Sequence, residues 1–249
     1  MNKFLMKFYE KSEIWFAVVL ILVYVIPAAN LRGNYGDESP WMMLFLLLLT
    51  LLITFFICKN GLSEKYGLTS WPDSRKFLYF FPFIILISVN LWFGAKPVYS
   101  GIGQIFAVVS MMLIGFLEEM IFRGFLFRAI EKQSLKRAII ISAVTFGIGH
   151  IINLLTGQAT LDTVAQMLYA IAIGFAFILA FHRGKSMWPM IITHSLIDAT
   201  SKFRNYDNAQ FGTFANVLYL IFLIAVPAVY AWYIYKKVDS PKNNTAKIK

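Results

Sequence analysis

Three apolar stretches of the sequence carry ionisable side chains. These side chains belong to Glu118, Glu119 and Arg123, to His150, and to His194 and Asp198. An ionisable residue inside a membrane costs about 2.5–3.5 kcal/mol on insertion scales, and it usually marks a functional site. Because separate placement would leave this cost uncompensated, we expect the three stretches to bring these groups together.

The spacing of the charged residues suggests how they are divided. Glu119 and Arg123 are separated by four residues, so they share a helix face and can neutralise each other. Glu118 is rotated by about 100° around the same helix and is free to face elsewhere. His194 and Asp198 are also four residues apart, which allows the carboxylate to orient the imidazole.

The stretch that contains His150 is marked by small and aromatic neighbours. It reads Phe146-Gly147-Ile148-Gly149-His150. Glycines in membrane helices let another backbone approach closely. We therefore expect both Gly147 and Gly149 to contact a neighbouring helix.

Peptide hydrolysis would use this set of groups. It needs an activated water, a base that takes the proton of that water, and donors to the developing oxyanion. Glu118 and His150 could hold and deprotonate the water, and His194 could donate to the oxyanion. Alternatively, Glu118, His150 and His194 could bind Zn²⁺. We favour the reaction without a metal or other cofactor. Ser195 lies about 100° from His194 on the same helix, so we do not expect it to act as a nucleophile.

The composition indicates a membrane protein. Of the 249 residues, 59% are hydrophobic and 14% are charged, whereas soluble domains are about 25% charged. Long unbroken apolar runs predict a polytopic, all-α membrane protein and not a membrane β-barrel. Disordered, disulfide-rich and nucleic-acid-binding proteins are excluded. The single Cys58 permits no internal disulfide.

About eight transmembrane helices fit the apolar runs. They are 14–31, 41–58, 77–95, 102–122, 138–155, 163–181, 187–200 and 212–235. The N-terminal lysines and Pro27-Ala28-Ala29 weakly resemble a signal peptide, but seven further spans favour an uncleaved first helix. We expect a single membrane domain over residues 1–249, with a motif-bearing catalytic core at about 102–200.

The basic residues predict the orientation of the chain. With eight spans, 18 of the 23 Lys and Arg residues fall on the side that carries both termini, and four fall on the other. The positive-inside rule therefore places both termini in the cytoplasm, where the basic loops face anionic lipids and need no nucleic acid. If the fourth span ends near 122, Glu118 lies close to its inner end, and we expect the catalytic chamber to open toward the cytoplasm.

The motifs resemble those of a known superfamily. Glu118-Glu119-x-x-x-Arg123, Phe146-x-x-x-His150 and His194-x-x-x-Asp198 are similar to the three motifs of the CPBP superfamily, which comprises type II CAAX prenyl endopeptidases and bacterial Abi-type proteins of bacteriocin processing or self-immunity. The resemblance implies an intramembrane protease, a peptide hydrolase with the first Glu of the pair as base.

The same resemblance assigns roles to the other motif residues. His150 shares in water activation, and His194 and Asp198 occupy the positions of an oxyanion-stabilising His and Asn. Glu119, Arg123 and Phe146 are supporting residues. Asp198 is a departure from the prenyl endopeptidases, because an ionised Asp cannot donate a hydrogen bond as Asn does.

Two other functions remain as alternatives. A non-catalytic immunity factor or scaffold of the same fold would tolerate loss of Glu118, whereas this chain keeps every motif residue. A proton-coupled transporter would show paired repeats, and the motifs lie only between residues 118 and 198. We expect the partners to be membrane lipids and a peptide or lipidated protein substrate, at a bacterial plasma membrane. The sequence does not indicate the substrate or the oligomeric state.

Overall fold

The computed structural model describes residues 2–92, 94–205 and 213–238. These residues form eleven α-helices: α1 Asn2–Lys11, α2 Glu13–Tyr35, α3 Pro40–Lys59, α4 Ser74–Phe77, α5 Phe80–Ser88, α6 Gly101–Glu118, α7 Arg128–Glu131, α8 Leu135–Gly149, α9 Thr160–Gly184, α10 Trp188–Ser201 and α11 Thr213–Lys237. A π-helical segment, Glu119–Phe127, joins α6 to α7. Two 3₁₀ segments, Val89–Leu91 and His150–Thr156, follow α5 and α8.

Among the described residues, six helical stretches are long and apolar enough to cross a membrane. They are Glu13–Tyr35, Pro40–Lys59, Gly101–Glu131, Leu135–Thr156, Thr160–Gly184 and Val217–Lys237. The prediction of an all-α, polytopic membrane protein is therefore confirmed. The remaining two predicted spans, 77–95 and 187–200, correspond to the shorter helices α5 and α10. Since the 14 residues of α10 extend only about 21 Å, the count of eight spans stays a prediction.

One end of the helix bundle gathers the basic loops. Glu13, at the start of α2, accepts hydrogen bonds from Lys65 at 2.6 Å and Lys132 at 2.8 Å. Tyr230 of α11 donates to the backbone oxygen of Phe77 in α4 at 2.7 Å. We call this the basic end. The start of α2 and the C-terminal part of α11 thus lie at the same end, as the charge count predicts, and its assignment to the cytoplasm stays a prediction. The predicted basic tail from 239 to 249 lies outside the described residues.

The other end of the bundle carries a small ion-pair cluster. Asp37, in the turn after α2, contacts Arg32 Nε and Lys202 Nζ, each at 2.7 Å. We call this the opposite end. Burial alone would raise the pKa of Asp37, but the charges of Arg32 and Lys202 outweigh burial and lower this pKa below its ordinary value. The cluster ties the turn after α2 to the end of α10.

The fourth predicted span, 102–122, ends too early. Helical structure continues without a break to Glu131, because the charge of Arg123 is buried beside Glu119 and does not end the span. Glu118 therefore lies 17 residues after Gly101 and 13 before Glu131, in the middle of a long helix and not close to its inner end.

Close helix packing at two glycines positions the site. A Cβ on Gly115 of α6 would lie 2.5 Å from the backbone nitrogen of Ser195 in α10, and a Cβ on Gly147 of α8 would lie 2.8 Å from the backbone oxygen of Met167 in α9. The expectation for Gly147 is confirmed. The expectation for Gly149 is wrong, because a Cβ there would meet no described atom within 4 Å. Of the two glycines before His150, only Gly147 faces a helix.

Candidate active site

Glu118 is held by one of its two carboxylate oxygens. Tyr24, at the midpoint of α2, donates a hydrogen bond to Glu118 Oε1 at 2.6 Å. The second oxygen, Oε2, is buried and has no hydrogen-bond partner among the described residues. Glu118 therefore has a fixed orientation and one acceptor oxygen that remains free.

His194 lies between three carboxylates. Its Nδ1 is 2.7 Å from Glu119 Oε1, which is a short hydrogen bond. Its Nε2 faces Glu118 Oε2 at 3.6 Å and Asp198 Oδ2 at 3.5 Å. Both of these distances are longer than a good direct hydrogen bond and are compatible with a bridging water. The end of α6, the start of the π-helical segment and α10 thus bring four of the sequence-predicted site residues together.

Glu119 and Arg123 form a pair that solvent does not reach. Glu119 Oε1 is 3.1 Å from Arg123 Nη1, and both side chains are 0% exposed. The guanidinium lies 3.9 Å from the ring centroid of Phe146, in cation–π contact. Its nitrogens have no aligned hydrogen-bond partner within the described parts of the chain, so ion-pair and ring contacts compensate the charge. The i,i+4 pairing expected from the sequence is present, but Glu119 also binds His194, which the spacing did not indicate.

The π-helical segment begins at Glu119, immediately after Glu118. All nine of its residues are buried. π-Helical turns are rare, carry i→i+5 hydrogen bonds and occur frequently at functional sites. The segment departs from α-helical spacing where two adjacent carboxylates contact different partners, Tyr24 for the first and His194 for the second.

His150 approaches the centre from α8. It ends that α-helix and begins the following 3₁₀ segment. The Phe146 ring lies 5.4 Å from the ring of His150 and 5.7 Å from that of His194, edge-on to both. His150 lies within electrostatic range of Glu118 and His194. Phe146 therefore packs against both imidazoles and also against the guanidinium of Arg123.

The zinc alternative has no assembled ligand set here. In the described part of the chain, no three His, Cys, Asp or Glu side chains are grouped so that they could hold a metal ion. The contact of His194 Nδ1 with Glu119 does not prevent Nε2 from binding a metal, so the zinc alternative stays a prediction.

Sequence reasoning missed Tyr24 and the true role of Ser195. Tyr24 lies in an apolar span where a tyrosine is unremarkable, and its distance of 94 residues from Glu118 hides the contact. The Ser195 hydroxyl donates to the backbone oxygen of Met112 at 2.9 Å, so it fastens α10 to α6. This bond is consistent with the expectation that Ser195 is not a nucleophile.

Comparison with known proteins finds a match over the helices that carry the site. A family model described as type II CAAX prenyl endopeptidase Rce1-like matches residues 101–200. No curated protein and no solved structure matches the chain. The matched residues include all three motifs and every helix that carries them. The segment 101–200 of this membrane protein is therefore similar to the type II CAAX prenyl endopeptidases of the Rce1-like family, as its motifs predict.

Proposed function

We propose that the chain is an intramembrane endopeptidase that hydrolyses a peptide bond of a membrane-associated protein or peptide with water activated by Glu118. The free oxygen of Glu118 carries this proposal. Glu118 Oε2 lies 3.6 Å from His194 Nε2, while Tyr24 holds Oε1. A carboxylate fixed on one side and free on the other suits a general base.

The first step is attack by water on the peptide carbonyl. Glu118 Oε2 takes one proton from the water, and the resulting hydroxide adds to the carbonyl carbon. His150 contacts the Phe146 ring, as His194 does, and lies within electrostatic range of Glu118. In the proposal it contributes the second contact that orients the water.

His194 stabilises the oxyanion that forms in this step. Its Nδ1–H donates to Glu119, and an imidazolium can also donate from Nε2. That second donor points into the space in front of Glu118, where the oxyanion would form. A single well-placed donor of this kind is worth about 10²–10³ in kcat. Glu119 itself is a poor base: its Oε1 is shared between His194 and Arg123, and its Oε2, although unpartnered among the described residues, belongs to a side chain that is 0% exposed.

Collapse of the tetrahedral intermediate completes the reaction. The proton on Glu118 passes to the leaving amide nitrogen, the C–N bond breaks, and a carboxylic acid and an amine are released. Asp198 faces the Nε2 of His194 at 3.5 Å, so in the resting state it favours the charged imidazolium. The substrate oxyanion then takes over this role, which gives Asp198 a function that does not require it to donate a hydrogen bond.

The proposed setting is a bacterial plasma membrane with both termini in the cytoplasm. The excess of Lys and Arg on the side of the termini supports this orientation. The substrate class is a peptide or lipidated protein that is already bound to the membrane.

A comparison of peptides from cells tests the proposal. Cells that carry the wild-type chain are compared with cells that carry Glu118→Gln at equal membrane levels, and new peptide termini are identified by mass spectrometry. Glu64→Gln is the matched control, because Glu64 lies in the loop after α3, away from the site. We expect termini that are present with wild type and Glu64→Gln and missing with Glu118→Gln. Identical sets of termini in all three would count against the proposal.

A further inference from the structure

The accessible surface of the side chains is graded across the site. The side chains of Glu119 and Arg123 are 0% exposed, His194 is 9% exposed, Glu118 is 12% exposed and Asp198 is 25% exposed. Exposure therefore increases from the buried pair, through the proposed base, to Asp198. The accessible side of the polar cluster is therefore the Asp198 side.

Asp198 lies close to the opposite end of the bundle. It is three residues before Ser201, the last residue of α10, which corresponds to about 4.5 Å along the helix. Lys202 follows directly and contacts Asp37 at 2.7 Å. Arg32, whose side chain is 29% exposed, contacts the same carboxylate. Polar and charged groups thus continue from the site to the opposite end.

Toward the basic end the site is closed by packed side chains. All residues of the π-helical segment are buried. Phe122 packs against Phe146 with ring centroids 5.3 Å apart, and Phe125 packs against Tyr66 at 4.7 Å. The Tyr66 hydroxyl is hydrogen-bonded to Tyr9 at 2.9 Å. Among the described residues, this layer separates the buried Glu119–Arg123 pair from the basic loops.

We propose that water and the substrate peptide enter the site from the opposite end, which the distribution of Lys and Arg places on the outer face of the membrane. The enzyme then acts on a peptide bond in the outer half of the membrane, in a segment of a membrane-bound protein or peptide exposed on that face. This inference rests on the proposed function. It reverses the expectation of a cytoplasmic chamber, which followed from a fourth span that ends near 122.

Cysteine labelling tests the direction of entry. In a Cys58→Ser background, Asp198→Cys places a thiol at the exposed edge of the site, and His150→Cys repeats the test from α8. Asn34→Cys and Lys136→Cys are exposed markers for the opposite and basic ends. Each purified variant is checked for a wild-type elution profile. A membrane-impermeant maleimide is then applied to right-side-out and to inverted vesicles.

The two site cysteines should be labelled in the same vesicle orientation as Asn34→Cys and protected where only Lys136→Cys reacts. Labelling together with Lys136→Cys, or protection from both faces, would overturn the proposed route. Labelling needs no turnover, so it separates the two proposals. If the site cysteines are labelled from the opposite end but no cleavage depends on Glu118, the proposed enzymatic function is refuted and the proposed route is not. Cleavage with entry from the basic end would refute the route alone.

Discussion

Replacement of Glu119 by Gln should destabilise the protein much more than the same change at Glu118. Glu119 is the carboxylate beside the buried Arg123 guanidinium, 3.1 Å away. The amide oxygen of the new side chain could still accept the hydrogen bond from His194 Nδ1, so the main loss is the charge that compensates Arg123. Glu118 contacts the neutral Tyr24 and faces His194 at 3.6 Å, but His194 keeps Glu119 and Asp198 as counter-charges when Glu118 is removed.

The expected size of the effect follows from burial. Removal of one partner of a buried ion pair costs about 3–5 kcal/mol. At about 2–4 °C per kcal/mol for a chain of this size, Glu119→Gln should lower Tm by roughly 6–20 °C. We expect Glu118→Gln to melt within about 2 °C of wild type, since no buried charge is left unpaired.

Thermal unfolding in detergent, followed by tryptophan fluorescence, measures the difference. The double variant Glu119→Gln/Arg123→Met is the matched control, because it removes both charges and keeps most of the side-chain volume. It should recover most of the lost Tm. If Glu119→Gln melted like wild type while Glu118→Gln melted far below it, the division of roles between the two glutamates would be refuted.

Four further predictions concern packing, hydrogen bonding, pH and metals. Gly115→Ala should lower Tm and reduce cleavage at least tenfold, because its Cβ would meet the backbone of α10, whereas Gly149→Ala should change neither; equal effects would contradict the packing. Tyr24→Phe should lower kcat by about 10- to 100-fold with little change in KM, since a hydrogen bond to a charged group is worth about 1.5–3 kcal/mol. An unchanged kcat would show that catalysis does not require Tyr24 to hold the carboxylate of Glu118. In the folded protein the pKa of Asp37 lies below its ordinary value of 3.8, so the ionised carboxylate stabilises the fold fully above that value and loses this effect as pH falls through the folded-state pKa. Between pH 7 and pH 3, Tm should therefore fall less in Asp37→Asn than in wild type. Parallel curves would argue against this role of Asp37. Incubation with a zinc chelator should leave cleavage unchanged, and loss that added Zn²⁺ reverses would favour the zinc alternative.

Features that depend on a single helix, or on the free-energy cost of burying a charge, could be predicted from the sequence. The lengths of the apolar runs predicted the long helices, and the i,i+4 spacing predicted the contact between Glu119 and Arg123. The convergence of the motifs followed from the cost of burying charges separately. The structure places His194 near both glutamates and Asp198, in agreement with that argument.

The remaining features depend on tertiary contacts that no local pattern encodes. The π-helical segment has no periodic signal of its own, so the end of the fourth helix was placed too early. Tyr24 meets Glu118 across 94 residues, and Asp37 meets Lys202 across 165. Gly147 and Gly149 look equivalent in sequence, yet only the first faces a neighbouring helix.

Incorporation of solvent oxygen by the purified protein tests the central claim most directly. The chain is reconstituted in liposomes with a membrane peptide identified by the cell comparison, in water enriched in ¹⁸O. Wild type should produce a new C-terminal carboxylate that contains one ¹⁸O atom, and Glu118→Gln, folded to the same Tm, should produce none. Cleavage by Glu118→Gln at a rate near that of wild type would contradict the role of Glu118 as the base that activates water.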